Sequence, residues 1–186
     1  MSDVEPYFGA TDHEKGGYLA GKHLAKMGHK RIGCITGPGN LEDSRMRTAG
    51  FRRALEESGI SFDRENMYVG NYDMESGEQG AQYLMERGVT AIFAYNELSA
   101  YGVYRWAGKN GKTVPEDISV VGYDDVGFSD IFNAPLTSVR QPVYEMGKEA
   151  VHQMIAGIKE KKQKKEKIQF EPELIIRKSV KVLDDV

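Results

Sequence analysis

Apolar positions along this chain alternate between two rhythms. Tyr18, Leu19, Leu24 and Met27 recur at helical spacing behind Asp12, a capping residue, and stop at Gly28, which predicts a helix over 12–27. Ile32-Gly33-Cys34-Ile35-Thr36 then forms a short apolar run closed by Gly37-Pro38-Gly39, the pattern of a strand. A helix starting at Asp43 or Ser44 carries Phe51, Ala54 and Leu55 and stops at Gly59. A weak strand at Met67-Tyr68-Val69 precedes a helix from about Glu75 to Arg87, ended by Gly88. Ala91–Ala94 reads as a strand, Glu97–Lys109 as a helix containing Trp106, and Ile118–Val121 as a strand ending at Gly122.

These strands are apolar without strict alternation, as strands buried on both faces are. The pattern therefore predicts an α/β fold, a parallel sheet with helices on both faces. The rhythm changes after Gly122. Thr137–Arg140 reads as extended and leads through Pro142 into a helix with Val143, Met146, Val151, Met154 and Ile155. Lys159–Lys167 reads as a solvated connector, and Phe170–Ile176 as a closing strand that Pro172 assigns to an edge.

Composition narrows the function classes. The 186 residues are 40% hydrophobic and 28% charged, enough for one well-buried core or two small ones. A net charge of −3 points to neither a nucleic-acid nor a membrane surface. No apolar run approaches a membrane span. The single cysteine, Cys34, offers no disulfide framework and fits a reducing compartment. His13, His23, His29 and His152 are scattered without metal spacing, and His29 reads as a cationic cap on the helix ending at Gly28. No metal and no cofactor are expected.

In open parallel sheets, ligands bind outside the carboxyl ends of the strands. Those ends carry Gly37-Pro38-Gly39-Asn40 with Asp43, Ser44, Arg45 and Arg47; then Asn71, Tyr72 and Asp73; then Tyr95, Asn96 and Glu97; then Tyr123, Asp124 and Asp125. Guanidinium, amide, carboxylate and aromatic groups on one rim suit a polyhydroxylated ligand, whose hydroxyls both donate and accept and whose ring face stacks. Any one of these residues alone reads equally well as a turn former. Catalytic signatures are missing: no GxSxG, HExxH, GxxxxGK[ST] or GxGxxG occurs. Asp124-Asp125 has only Asp73 as a companion carboxylate for a divalent ion. The chain reads as a binding protein, not an enzyme.

Six blocks in order carry a family resemblance: Leu24–Gly33 (LAKMGHKRIG), Thr36-Gly37-Pro38, Arg45–Phe51 (RMRTAGF), Ala94-Tyr95-Asn96-Glu97, Val114–Asp125 (VPEDISVVGYDD) and Pro135–Pro142 (PLTSVRQP). From about Asp12 to Val180 the chain resembles the lactose and galactose repressors, the LacI/GalR type. The resemblance implies a periplasmic-binding-protein type I lobe and a small-molecule effector, usually a sugar, held between two lobes. Some relatives bind purines or a phosphorylated protein instead. It implies that Arg47, Asn96 and Asp124 hydrogen-bond effector hydroxyls and that Tyr72 packs on the ligand. It implies a homodimer through Tyr101, Phe128, Ile131 and Phe132, a cytoplasmic location, no membrane, and DNA contact only through a headpiece with no counterpart in these residues. Residues 1–29 are then expected to be a crossing segment and helix of the first lobe, 30–130 the second lobe, 131–158 a return strand and helix of the first lobe, 159–168 a lysine-rich loop, and 169–186 a closing strand and tail. The alternative is a solute receptor of a sugar transporter with the same fold.

Overall fold

The computed structural model describes residues 9–127, 129, 133–160 and 168–183, without the side chains of 157–160. In chain order the elements are β1 (Ala10–Thr11), α1 (His13–Lys26), β2 (Ile32–Thr36), α2 (Glu42–Glu56), β3 (Met67–Val69), α3 (Met74–Met85), β4 (Ala91–Ala94), α4 (Glu97–Lys109), β5 (Ser119–Asp124), β6 (Thr137–Arg140), α5 (Val143–Glu160), β7 (Gln169–Phe170) and β8 (Glu173–Ile175). Six strands make one sheet in the order β3-β2-β4-β5-β6-β8, parallel except for β8, which pairs antiparallel with β6. A short parallel pair, β1 with β7, stands apart from it.

The missing alternation has the expected cause. Ile32 and Cys34 of β2, Phe93 of β4, and Val121 and Tyr123 of β5 pack with Leu24 of α1 and Phe51 and Leu55 of α2. Their neighbours Ile35, Ile92 and Val120 pack on the opposite face with Leu84 of α3 and Trp106 of α4. Both faces of each strand are buried, so both sets of side chains are apolar. The two helix pairs are crossed at glycine. A Cβ on Gly17 would stand 2.0 Å from the Arg47 carbonyl oxygen, and one on Gly50 1.7 Å from that of Glu14. Backbone therefore meets backbone where α1 crosses α2, which brings the start of α1 beside the first turns of α2.

Several expectations are revised. Residues 13–26, expected with the first lobe, form α1 and pack against α2 on this sheet, through buried Leu24 and the glycine crossing. Thr137–Arg140, expected with the same lobe, lies in the main sheet directly beside β5, with Asp124 in register with Arg140. That pairing also extends β5 past Gly122 to Asp124. The closing strand divides at Glu171-Pro172 into β7 and β8, and β8 is an edge strand. The helix before β2 is capped by backbone: Gly28 adopts φ +86°, and the His29 N–H donates to the Leu24 carbonyl at 3.2 Å. The imidazole of His29 is not a cationic cap. It is fully buried with Nδ1 2.9 Å from Thr90 Oγ1, and burial lowers its pKa to about 4. The lysine run lies outside the described residues apart from its first two positions, which end α5.

No described helix is long and apolar enough to cross a membrane.

Candidate functional site

Arg47, Tyr72, Asn96 and Asp124 come together at the carboxyl ends of the parallel strands, and each is fixed by its neighbours. Arg47 lies one turn into α2 and is 4% exposed. One terminal nitrogen donates to the Tyr95 carbonyl; the other lies 3.4 Å from Asp43 Oδ2 and 3.4 Å from His13 Nδ1. The guanidinium plane covers the Tyr123 ring at 3.8 Å and sits 5.8 Å from the Tyr72 ring. Its Nε is buried without a partner among the described residues.

The chain is held in unusual conformations here. Among the described residues, the non-glycine positions with positive φ are Tyr72 (64°), Asp124 (98°) and Asp125 (55°), all at this rim. Such geometry costs on the order of 1–3 kcal/mol per residue and persists only when surroundings enforce it. For Tyr72 they do. Asn96 Nδ2 donates to its carbonyl at 2.8 Å, its hydroxyl donates to Asp43 Oδ2 at 3.2 Å, and its ring lies where a side chain on Gly37 would be, 2.0 Å from that missing Cβ. Burial, the first of several causes, raises the Tyr72 pKa.

Asn96 serves two masters. Its Oδ1 accepts the Ser99 N–H at 2.9 Å and so caps α4, while its Nδ2 orders Tyr72. Asp124 ends β5 and accepts from Gln141 Nε2 at 2.7 Å; burial raises its pKa, opposed by Arg47. Gln141 in turn accepts from Thr11 Oγ1 at 2.8 Å, so β1, β5 and the segment after β6 meet through one chain of hydrogen bonds.

Other rim candidates have different work. Tyr95 is fully buried with its hydroxyl on Thr48 Oγ1 at 2.9 Å. Tyr123 is fully buried too, its face already covered by Arg47. Arg45 is exposed. Asp73 caps α3, accepting the Ser76 N–H at 2.7 Å, and that bond lowers its pKa. Asp125 is gripped by Arg140 Nε and Arg177 at 2.7 Å each, which leaves no free oxygen for a cation. Among the described residues no group of three or more His, Cys, Asp or Glu could hold a metal ion. Of the four residues expected at a dimer face, Phe128, Ile131 and Phe132 lie outside the described residues. Tyr101 is 9% exposed and packs in the α3/α4 core, with its hydroxyl on Glu97 Oε2 at 2.9 Å.

Two further residues join the candidate site. Gln141 directly follows parallel strand β6, so the strand-end rule that picks the other rim residues also selects it. His13 carried no signal. It opens α1, and only the crossing of α1 over α2 sets it 3.0 Å from the Tyr123 hydroxyl and beside Arg47. Burial and then Arg47 lower its pKa to about 4. A guanidinium only donates, so Nδ1 is the acceptor and the ring proton sits on Nε2.

A sheet with ligand-type groups at its carboxyl edge defines a class of binding domain. The chain belongs to the periplasmic binding protein-like domain family, whose profile matches residues 22–180, and within it to the LacI/GalR type. It is 38% identical over 173 residues to the HTH-type transcriptional repressor PurR of Photobacterium profundum, covering 92% of this chain and 52% of that protein. It is 37% identical over 174 residues to the HTH-type transcriptional regulator DegA of Bacillus subtilis, covering 93% and 52%. The chain thus spans about half the length of these curated relatives. Among solved structures, a LacI family transcriptional regulator from Enterococcus faecium with bound ribose superposes with a TM-score of 0.90 at 29% identity, covering 98% of this chain and 69% of that one. The complex of transcriptional regulator CelR with cellobiose gives 0.85 at 32% identity, covering 91% and 52%.

Proposed function

We propose that this chain is the effector-binding part of a cytoplasmic transcriptional regulator, that its effector is a sugar, and that it binds without catalysis. The observation that carries the reading is the convergence of Arg47, Tyr72, Asn96 and Asp124 on one rim, each already oriented before a ligand arrives. Asp124 supplies the acceptor for sugar hydroxyls, Asn96 and Arg47 supply donors, and Tyr72 offers an aromatic edge. Ribose and cellobiose in the two structural relatives support a sugar. Relatives described as transcriptional regulators favour a regulator over a transport receptor. The mechanism is a population shift: effector stabilises one lobe arrangement and so biases a DNA-binding homodimer. DNA contact lies with a headpiece, not with these residues.

The rim is one wall of a cleft, so a sugar bound to these residues alone keeps one face in water and each hydrogen bond contributes only about 0.5–1.5 kcal/mol. Calorimetry of this chain against ribose, cellobiose and a wider sugar panel should give dissociation constants no tighter than roughly 1 mM, about −4 kcal/mol. Asp124→Ala should abolish that binding. Micromolar binding that survives Asp124→Ala places the site elsewhere.

A further inference from the structure

Two dipeptides on neighbouring strands build the rim, Asn96-Glu97 after β4 and Asp124-Asp125 at the end of β5. In each, the first residue belongs to the effector site and the second turns inward. Both inward residues meet one hydroxyl. Ser129 Oγ lies 3.1 Å from Asp125 Oδ1 and 3.0 Å from the Val126 carbonyl, and it also hydrogen-bonds Glu97 Oε1. Glu97 and Ser129 are each 2% exposed, and the Asp125 side chain 3%. The backbone of Ser129 adds two ties: its N–H donates to the Val126 carbonyl at 3.2 Å, and its carbonyl accepts from Leu136 at 2.9 Å.

Two carboxylates and a carbonyl compete for one hydroxyl. A hydroxyl has one hydrogen. Asp125 is paired with Arg140 and Arg177, so it stays an acceptor and shares that hydrogen with Glu97 and the Val126 carbonyl. Glu97 meets Ser129 through Oε1, as the acceptor of its hydroxyl when ionised and as a donor when protonated, while Oε2 accepts from Tyr101. Burial, the largest cause, raises the Glu97 pKa; the bonds from Ser129 and Tyr101 oppose it, and the nearby Asp125 and Asp124 add to it. The charged groups facing Glu97 are Asp124 and Asp125 at the end of β5, the latter carrying Arg140 and Arg177.

We propose that Ser129 is a positioning residue for the effector site, a clasp through which Glu97 and Asp125 hold Asn96 and Asp124 in fixed relation. The proposal rests on the reading of the rim as the effector site. The clasp is tightest while Glu97 is protonated and loosens as pH rises through its raised pKa, because two ionised carboxylates then compete for the one Ser129 hydrogen.

The test needs no ligand. Ser129→Val and Ser129→Thr differ only in the hydroxyl, and amide exchange by NMR reads two remote bonds: Ser99 N–H to Asn96 Oδ1 (2.9 Å) and Gln141 N–H to the Asp124 carbonyl (3.4 Å). Ser129→Val should speed exchange at both by about tenfold, the worth of one hydrogen bond, after correction for intrinsic rates, and Ser129→Thr should restore protection. Glu97→Gln keeps a donor toward Ser129 and an acceptor toward Tyr101. It should keep Ser99 protected and remove the pH dependence expected of the unmodified protein. Unchanged exchange in Ser129→Val, no rescue by threonine, or a pH dependence that persists in Glu97→Gln overturns the proposal; if Ser129→Val does not fold, Glu97→Gln decides alone. Failure of the unmodified protein to bind ribose or cellobiose bears on the effector reading and leaves these amide results untouched.

Discussion

The guanidinium of Arg47 lies 3.8 Å from the centre of the Tyr123 ring and donates in its own plane to the Tyr95 carbonyl. Stacking and in-plane donation at once require a flat, forked cation.

Lysine cannot take that role. Arg47→Lys is expected to lower stability by about 2 kcal/mol, and Arg47→Ala by about 3 kcal/mol, since alanine also leaves the Tyr95 carbonyl and Asp43 without their partner. Urea unfolding reads both, and a lysine variant with the original midpoint would mean that the stack contributes nothing.

Helix α5 carries its apolar residues outward. Val143 is 66%, Val151 53% and Ile155 44% exposed, and their spacing of eight and four residues places them on one helical face. An apolar face of this kind drives association. Light scattering at micromolar concentration should show self-association, and the double variant Val151→Lys, Ile155→Lys should restore the monomer. A monomeric unmodified protein contradicts this.

The glycine crossing of α1 and α2 has no space to yield. Gly50→Ala places a methyl 1.7 Å from the Glu14 carbonyl oxygen and should cost about 3 kcal/mol or more, because the obstacle is backbone. Gly108 in α4 meets nothing within 4 Å, so Gly108→Ala should instead stabilise by about 0.5–1 kcal/mol through helix propensity. Opposite shifts in the thermal midpoint are the outcome to look for; loss of stability in both variants would show that α4 frays at its end.

His29 makes stability depend on pH. Its folded pKa, about 4, lies below its ordinary 6.5, so the unfolded chain binds the proton more readily. The contribution is complete above pH 6.5 and is lost as pH falls toward 4, up to about 3 kcal/mol. Urea midpoints should fall from pH 7 to pH 5, where few carboxylates titrate, and His29→Gln should flatten that slope. An unchanged slope assigns the effect to His13 or His23, whose pKa values burial also lowers.

Local chemistry wrote much of this fold. Asp12 caps α1 and Gly28 stops it, β2, β3 and β4 fall on the apolar runs that predict them, and α4 spans Glu97–Lys109 as its pattern requires. Caps, turns and hydrophobic periodicity act over a few residues, so sequence alone determined these elements and the parallel sheet; the strand-end rule gave a wider set of rim residues, from which only the family resemblance singled out Arg47, Tyr72, Asn96 and Asp124. Tertiary structure decided what depends on residues far apart in the chain. It placed α1 and β6 in this sheet's layers, set His13 beside Arg47 and Gln141 on Asp124, and turned the second residue of each strand-end pair, Glu97 and Asp125, onto Ser129. Asp124 and Asp125 are adjacent and identical in type, and Asn96 and Glu97 are adjacent polar residues; the direction of the backbone at the strand end, and the arginines and hydroxyl beneath it, separate the members of each pair.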